Sequence, residues 1–167
     1  MTFYGLVVII HVIGTVLGVG AATFAEIYYT RFNCDDVITD DERKTLATTY
    51  FVMRVGLFLL VISGFTFLLY FRLIEHVGIL TSPSFWAKLT IIGILVGNAL
   101  LLQAHLIPFA IGTTISLTSW YGALVLGVMG KTNFTYLEIL TGYVVAILLL
   151  GIMLELIRRY LHNSKKI

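Results

Sequence analysis

Of 167 residues, 59% are hydrophobic and 12% charged, and the mean hydropathy is +0.97. Soluble domains carry about a quarter charged residues, so most of this chain's surface faces lipid, which excludes a soluble enzyme. A net charge of +2 scattered along the chain excludes a nucleic-acid binder, and Cys34, the single cysteine, excludes an internal disulfide or a zinc site built on thiolates.

The first apolar run, Phe3 to about Tyr28, is too long for the apolar region of a signal peptide and has no small-x-small cleavage site, so it predicts a retained first helix. Arg31 to Lys44 is the sizeable hydrophilic loop. Cys34 lies there beside Asp35 and Asp36, whose charge disfavours a reactive thiolate. The loop acids lack the spacing and the glycine of an EF-hand. Thr39 and Glu42 have capping-box spacing, which predicts a helix starting near Asp40, entering the membrane near Thr49 and continuing to about Phe71. Leu80 to Ser84 reads as a turn, with Ser82 or Ser84 capping a third helix from Phe85 to about Ile107 that Pro108 ends or kinks. A fourth span runs from Ile111 to Met129, Gly130 to Asn133 make a tight turn, and a fifth span runs from Phe134 to about Ile157. Each is close to the ~20 residues that a bilayer core requires. The expected fold is all-α: an integral membrane bundle of about five transmembrane helices, one domain over 1–167.

Loop charge predicts orientation. Arg31, Arg43, Lys44, Arg158, Arg159, Lys165 and Lys166 fall on one side with five spans, against Arg72, Lys88 and Lys131 on the other. The positive-inside rule then puts the N terminus outside and the C terminus in the cytoplasm.

Ionisable groups at membrane depth are costly and tend to mark function. Here they form an outer layer of His11, Lys88, His76 and Glu138, and an inner layer of Glu26, Arg54, His105 and Glu155. His11 shares a helical face with Thr15, Gly18 and Ala22, and Gly14 with Gly18 makes a G-x-x-x-G. Such a stripe either lets two helices approach closely or clears space for a flat macrocycle whose iron takes the imidazole. Lys88 opens the third helix after Trp86. It either snorkels to the interface or stands near His11, as a charge partner for a cofactor carboxylate or as a neutral amine ligand. His105 falls on the helical face of Asn98. It belongs either to a proton path with Glu26 and Arg54 or to a second cofactor site, while a Glu26–Arg54 pair is the structural alternative. Trp120-Tyr121-Gly122 could stack on a ring, with bundle packing as the default. The chain has no phosphate-binding glycine loop, no H-E-x-x-H and no nucleophile elbow.

Three stretches resemble a family of small bacterial integral membrane proteins. They are His11-Val12-Ile13-Gly14 through Ala22, Ser82-Pro83-Ser84-Phe85-Trp86-Ala87-Lys88 on to Asn98 and His105, and Ser119-Trp120-Tyr121-Gly122 on to Gly127. More distantly, the chain is similar to the HemJ-type protoporphyrinogen oxidases and the CopD-like membrane domains. In those families a histidine early in the first helix precedes small residues and a lysine opens the third, a pair associated with haem b. The matching positions are His11 and Lys88. The chain departs from the HemJ pattern in having Val16 and Leu17 where a tryptophan is usual, and in an extra helix. The resemblance therefore extends to the cofactor and not to porphyrinogen oxidation.

The expectation is a b-type haem-binding protein of the bacterial inner membrane that transfers electrons, with a quinone or another redox partner, as a homo-oligomer or within a larger complex. Its cofactor contacts would be His11, Lys88, Gly14, Gly18, His105 and His76, with His11 and His105 as the metal-ligating candidates. The rivals are a proton or ion transporter using Glu26, Arg54 and His105, and a non-catalytic subunit or assembly factor. Copper handling is disfavoured, because Met1, Met53, Met129 and Met153 form no thioether cluster.

Overall fold

A computed structural model describes residues 2–32, 39–73, 81–130 and 132–164. Among them are five helices long and apolar enough to cross a membrane, and no strand. These are α1 (Phe3–Phe32), α2 (Asp40–Leu73), α3 (Pro83–Gln103), α4 (Phe109–Met129) and α5 (Tyr136–Ser164). His76, Cys34 and Lys131, and the side chain of His162, lie outside the described residues.

The helix starts follow local chemistry. Thr39 and Glu42 close the predicted capping box: the Thr39 N–H donates to Glu42 Oε2 at 2.8 Å and the Glu42 N–H returns to Thr39 Oγ1 at 3.4 Å. Ser82 caps α3, accepting from the Phe85 N–H at 3.3 Å, and Pro83 occupies the first turn, where its missing donor costs nothing. The helix thus begins two residues before the expected Phe85. Thr135 and Glu138 repeat the box at the head of α5, which moves its start from the expected Phe134 to Tyr136.

α3 also ends early. The Leu106 N–H donates to the Leu101 carbonyl and the His105 N–H to the Leu102 carbonyl, the paired bonds of a Schellman motif. His105 takes the left-handed position of that motif at φ 56°, so it stands beyond the helix and does not share a helical face with Asn98. Pro108 then accepts from the Ile111 and Gly112 N–H groups and starts α4.

Side-chain contacts show the helices running alternately up and down. Tyr4 of α1 meets Phe67 and Tyr70 of α2 at one end, and there too Thr90 of α3 bonds Tyr136 of α5. At the other end, Tyr29 of α1 and Tyr50 of α2 both meet Phe109 at the head of α4. Two aromatic collars separated by apolar helix match the girdles of a bilayer-spanning protein.

The interior combines an apolar core with a face of small hydroxyl residues. α4 is the central helix, packed on α1, α3 and α5. Its buried face carries Thr113, Thr114, Ser116, Thr118 and Ser119, whereas large apolar side chains such as Val16, Phe58, Phe65 and Leu149 are at least 60% exposed. Small hydroxyl residues let backbones approach. Thr114, Thr118 and Ser119 return their hydroxyl protons to carbonyls one turn back, so burial leaves none of them unpaired. Lipid solvates leucine and phenylalanine as well as the interior does, so many stay on the lipid face, while Leu60, Leu95 and Ile91 fill the core.

Candidate functional site

The tightest seam joins α1 to α2. A Cβ on Gly14 would lie 2.9 Å from Leu60 N, and one on Gly56 would lie 2.7 Å from Gly18 N, so the two backbones touch. A Cβ on Gly18 would overlap the Trp120 ring, which α4 inserts from the other side. The room that Gly14 and Gly18 leave is therefore taken by protein: by Gly56 with its neighbours, and by an indole that is 1% exposed. These glycines hold together the helices that carry His11 and Ser63.

One turn before Gly14, His11 is half-buried, its ring edge-to-face with Phe67 at 5.4 Å. Its Nδ1 lies 2.8 Å from Ser63 Oγ. Ser63 is 2% exposed, and its single hydroxyl proton is directed at the Leu59 carbonyl, 2.6 Å away. With that proton on the Leu59 carbonyl, Ser63 Oγ accepts from His11 Nδ1–H and Nε2 carries the lone pair; in the other tautomer the hydroxyl donates to Nδ1. Sequence reasoning missed Ser63, because a serine within an apolar run reads as packing; only its register against His11 gives it a role.

Lys88, near the start of α3, lies at the same end of the bundle as His11, near the start of α1. It is half-buried and, among the described residues, makes no hydrogen bond or ion pair. The two predicted residues thus share one end of the bundle, and no hydrogen bond joins them among the described residues. His105 is not joined to them. Most of α3 separates it from Lys88, roughly 25 Å along the axis, so His11 and His105 cannot share one metal ion. No group of three or more His, Cys, Asp or Glu residues that could hold a metal occurs among the described residues.

The inner layer differs from expectation. Glu26 is 4% exposed and pairs with Arg158 of α5, not with Arg54. Arg158 donates to Glu26 Oε1 at 2.6 Å and to Thr113 at 3.3 Å, and its guanidinium lies over the Tyr29 ring. Thr30 donates to the same Glu26 oxygen at 3.0 Å. α2 turns Met53, Gly56 and Leu60 inward, which leaves Arg54 outward and unable to reach Glu26. Glu155 is on the surface and pairs with Arg159. Arg54 and His105 instead line a crevice of about 410 Å³ between α2, α3 and the head of α4.

Fold and site together define a multi-pass, all-helical membrane protein with His11 and Lys88 at one end of the bundle and a buried ion pair at the other. Comparison with protein-family models, curated proteins and solved structures finds no match to the chain.

Proposed function

We propose that this protein binds haem b in the membrane through His11 and transfers electrons. The observation that carries the reading is the 2.8 Å contact between His11 Nδ1 and Ser63 Oγ, which occupies one ring nitrogen and makes Nε2 the one available to a ligand in the Nδ1–H tautomer. Ligating histidines are held by their second nitrogen in this way, with the ring orientation and tautomer fixed from behind. The donor set would suit the group: His11 would ligate through Nε2, and Lys88, at the same end of the bundle, would serve as a neutral amine ligand or as partner to a propionate. Gly14 and Gly18 serve indirectly, by closing α1 on α2 so that Ser63 stays in register. Bound haem supplies a one-electron ferric–ferrous couple. The chain's own residues orient the ligand, exclude water with Phe67, and hold a proton at His11 Nδ1. The proposal includes a bacterial inner membrane, the N terminus outside and the C terminus cytoplasmic, as loop charge favours, and a quinone or protein redox partner met as a homo-oligomer or in a larger complex. The transporter reading has less support, because Glu26 is neutralised by Arg158 and faces neither Arg54 nor His105.

The test is a visible spectrum of detergent-purified protein from haem-replete cells, oxidised and then reduced. A Soret band is expected, lost in His11→Ala. Ser63→Ala should keep the band with about 10–100-fold weaker haem affinity. A colourless wild-type protein, or a band unchanged by His11→Ala, overturns the proposal.

A further inference from the structure

The crevice between α2 and α3 has polar groups at one end and hydrocarbon at the other. Arg54, Gln103 and His105 line it toward the end of the bundle where α3 stops, and Leu57, Ala99 and Leu95 continue deeper. From Gln103 to Leu95 the wall runs roughly 12 Å along the helix. Its volume of about 410 Å³ lies within the ~300–1,000 Å³ typical of small-molecule sites.

Arg54 supplies the charge, at the exposed mouth of the crevice, while the Tyr50 hydroxyl and Trp120 Nε1 that also line it are buried without a hydrogen-bond partner among the described residues. Arg54 makes no hydrogen bond or ion pair among the described residues, whereas Arg158 and Arg159 are each held by a glutamate. A guanidinium near membrane depth without a counter-charge is costly unless an anion meets it. The crevice also has a shape that an isolated anion would not fill. The acidic head must come attached to an apolar body long enough to follow the wall to Leu95.

We infer that this crevice is a binding site for an anionic phospholipid, its phosphodiester on Arg54 with Gln103 and His105 beside it, and one acyl chain along Leu57, Ala99 and Leu95. The inference is independent of haem binding, since His11 lies at the opposite end of the bundle.

Delipidated protein in neutral detergent is melted with phosphatidylglycerol, with phosphatidylcholine of the same chains, with oleate, with a neutral quinone and with inorganic phosphate. Phosphatidylglycerol is expected to raise the melting temperature by about 5 °C at saturation, and the others to leave it within error. Arg54→Gln, at an exposed position, should abolish the shift. Ala99→Leu, which narrows the wall and keeps every charge, should abolish it too, and Arg159→Gln should retain it. Equal stabilisation by phosphatidylcholine, a shift surviving Arg54→Gln or Ala99→Leu, or loss of the shift in Arg159→Gln overturns the site. So does a response reproduced by oleate, quinone or phosphate alone.

Discussion

At the scale of single residues, conformation and chemistry can be separated at His105. It occupies the left-handed position that ends α3, where a side chain costs about 1–2 kcal/mol relative to glycine. His105→Gly should therefore stabilise the fold by up to about 1 kcal/mol, read as a shift in the detergent unfolding midpoint; a loss of stability would show that the imidazole makes a contact worth more than the backbone strain. Ser63 poses the reverse case. It has no conformational demand, and its significance lies in where it sends one proton. Neither property can be read from residue type alone. A histidine beside Pro108 looks like the last turn of a helix, and a serine ahead of Gly64 looks like a small packing residue. What was legible was His11, because an imidazole eight residues into an apolar run has few inexpensive explanations.

At the scale of elements, close approach sorts the glycines. Gly56 meets the backbone of Gly18, so Gly56→Ala must push α1 and α2 apart and should cost about 1–3 kcal/mol. Gly64, two turns along the same helix, has nothing within 4 Å of the space a Cβ would take. Gly64→Ala should be neutral or gain about 0.5–1 kcal/mol from helix propensity. Equilibrium unfolding of the two variants side by side checks both, and equal effects would dissolve the seam. The existence and order of all five helices was legible, because span length and apolar runs are fixed by bilayer thickness. Their ends were legible where a capping pair was noticed, as at Thr39 and Glu42. At α3 Ser82 is one of the two expected caps, but the expected start at Phe85 is the one a Ser84 cap would give; at α5 the Thr135–Glu138 box is missed and the expected start falls at Phe134. The G-x-x-x-G of α1 was visible from the outset, whereas its partner Gly56 stands alone in α2 with no motif around it.

At the scale of the whole molecule, the pairing of Glu26 with Arg158 closes the first helix on the last. Depth along each span can be estimated from sequence, and it placed Glu26 and Arg54 at one level. Rotation about the helix axis decides who meets whom, and α2 points Arg54 away. Removing one member of a buried pair strands the other, so Arg158→Leu should cost about 3–5 kcal/mol. Glu26→Met with Arg158→Met should recover most of that. Unfolding free energies of the single and double variants test this, and a double variant as unstable as the single would show that the polar contacts to Thr30 and Thr113, not the charges, hold the helices.

That pairing also has a consequence for how the chain is made. The acid is synthesised in the first span and its counter-charge only in the fifth, 132 residues later. Until then the acid lacks Arg158, and an uncompensated carboxylate at membrane depth is costly. Ribosomes paused before α5 should thus yield a first span that is slow to partition into lipid, and biogenesis is completed only when the last helix arrives.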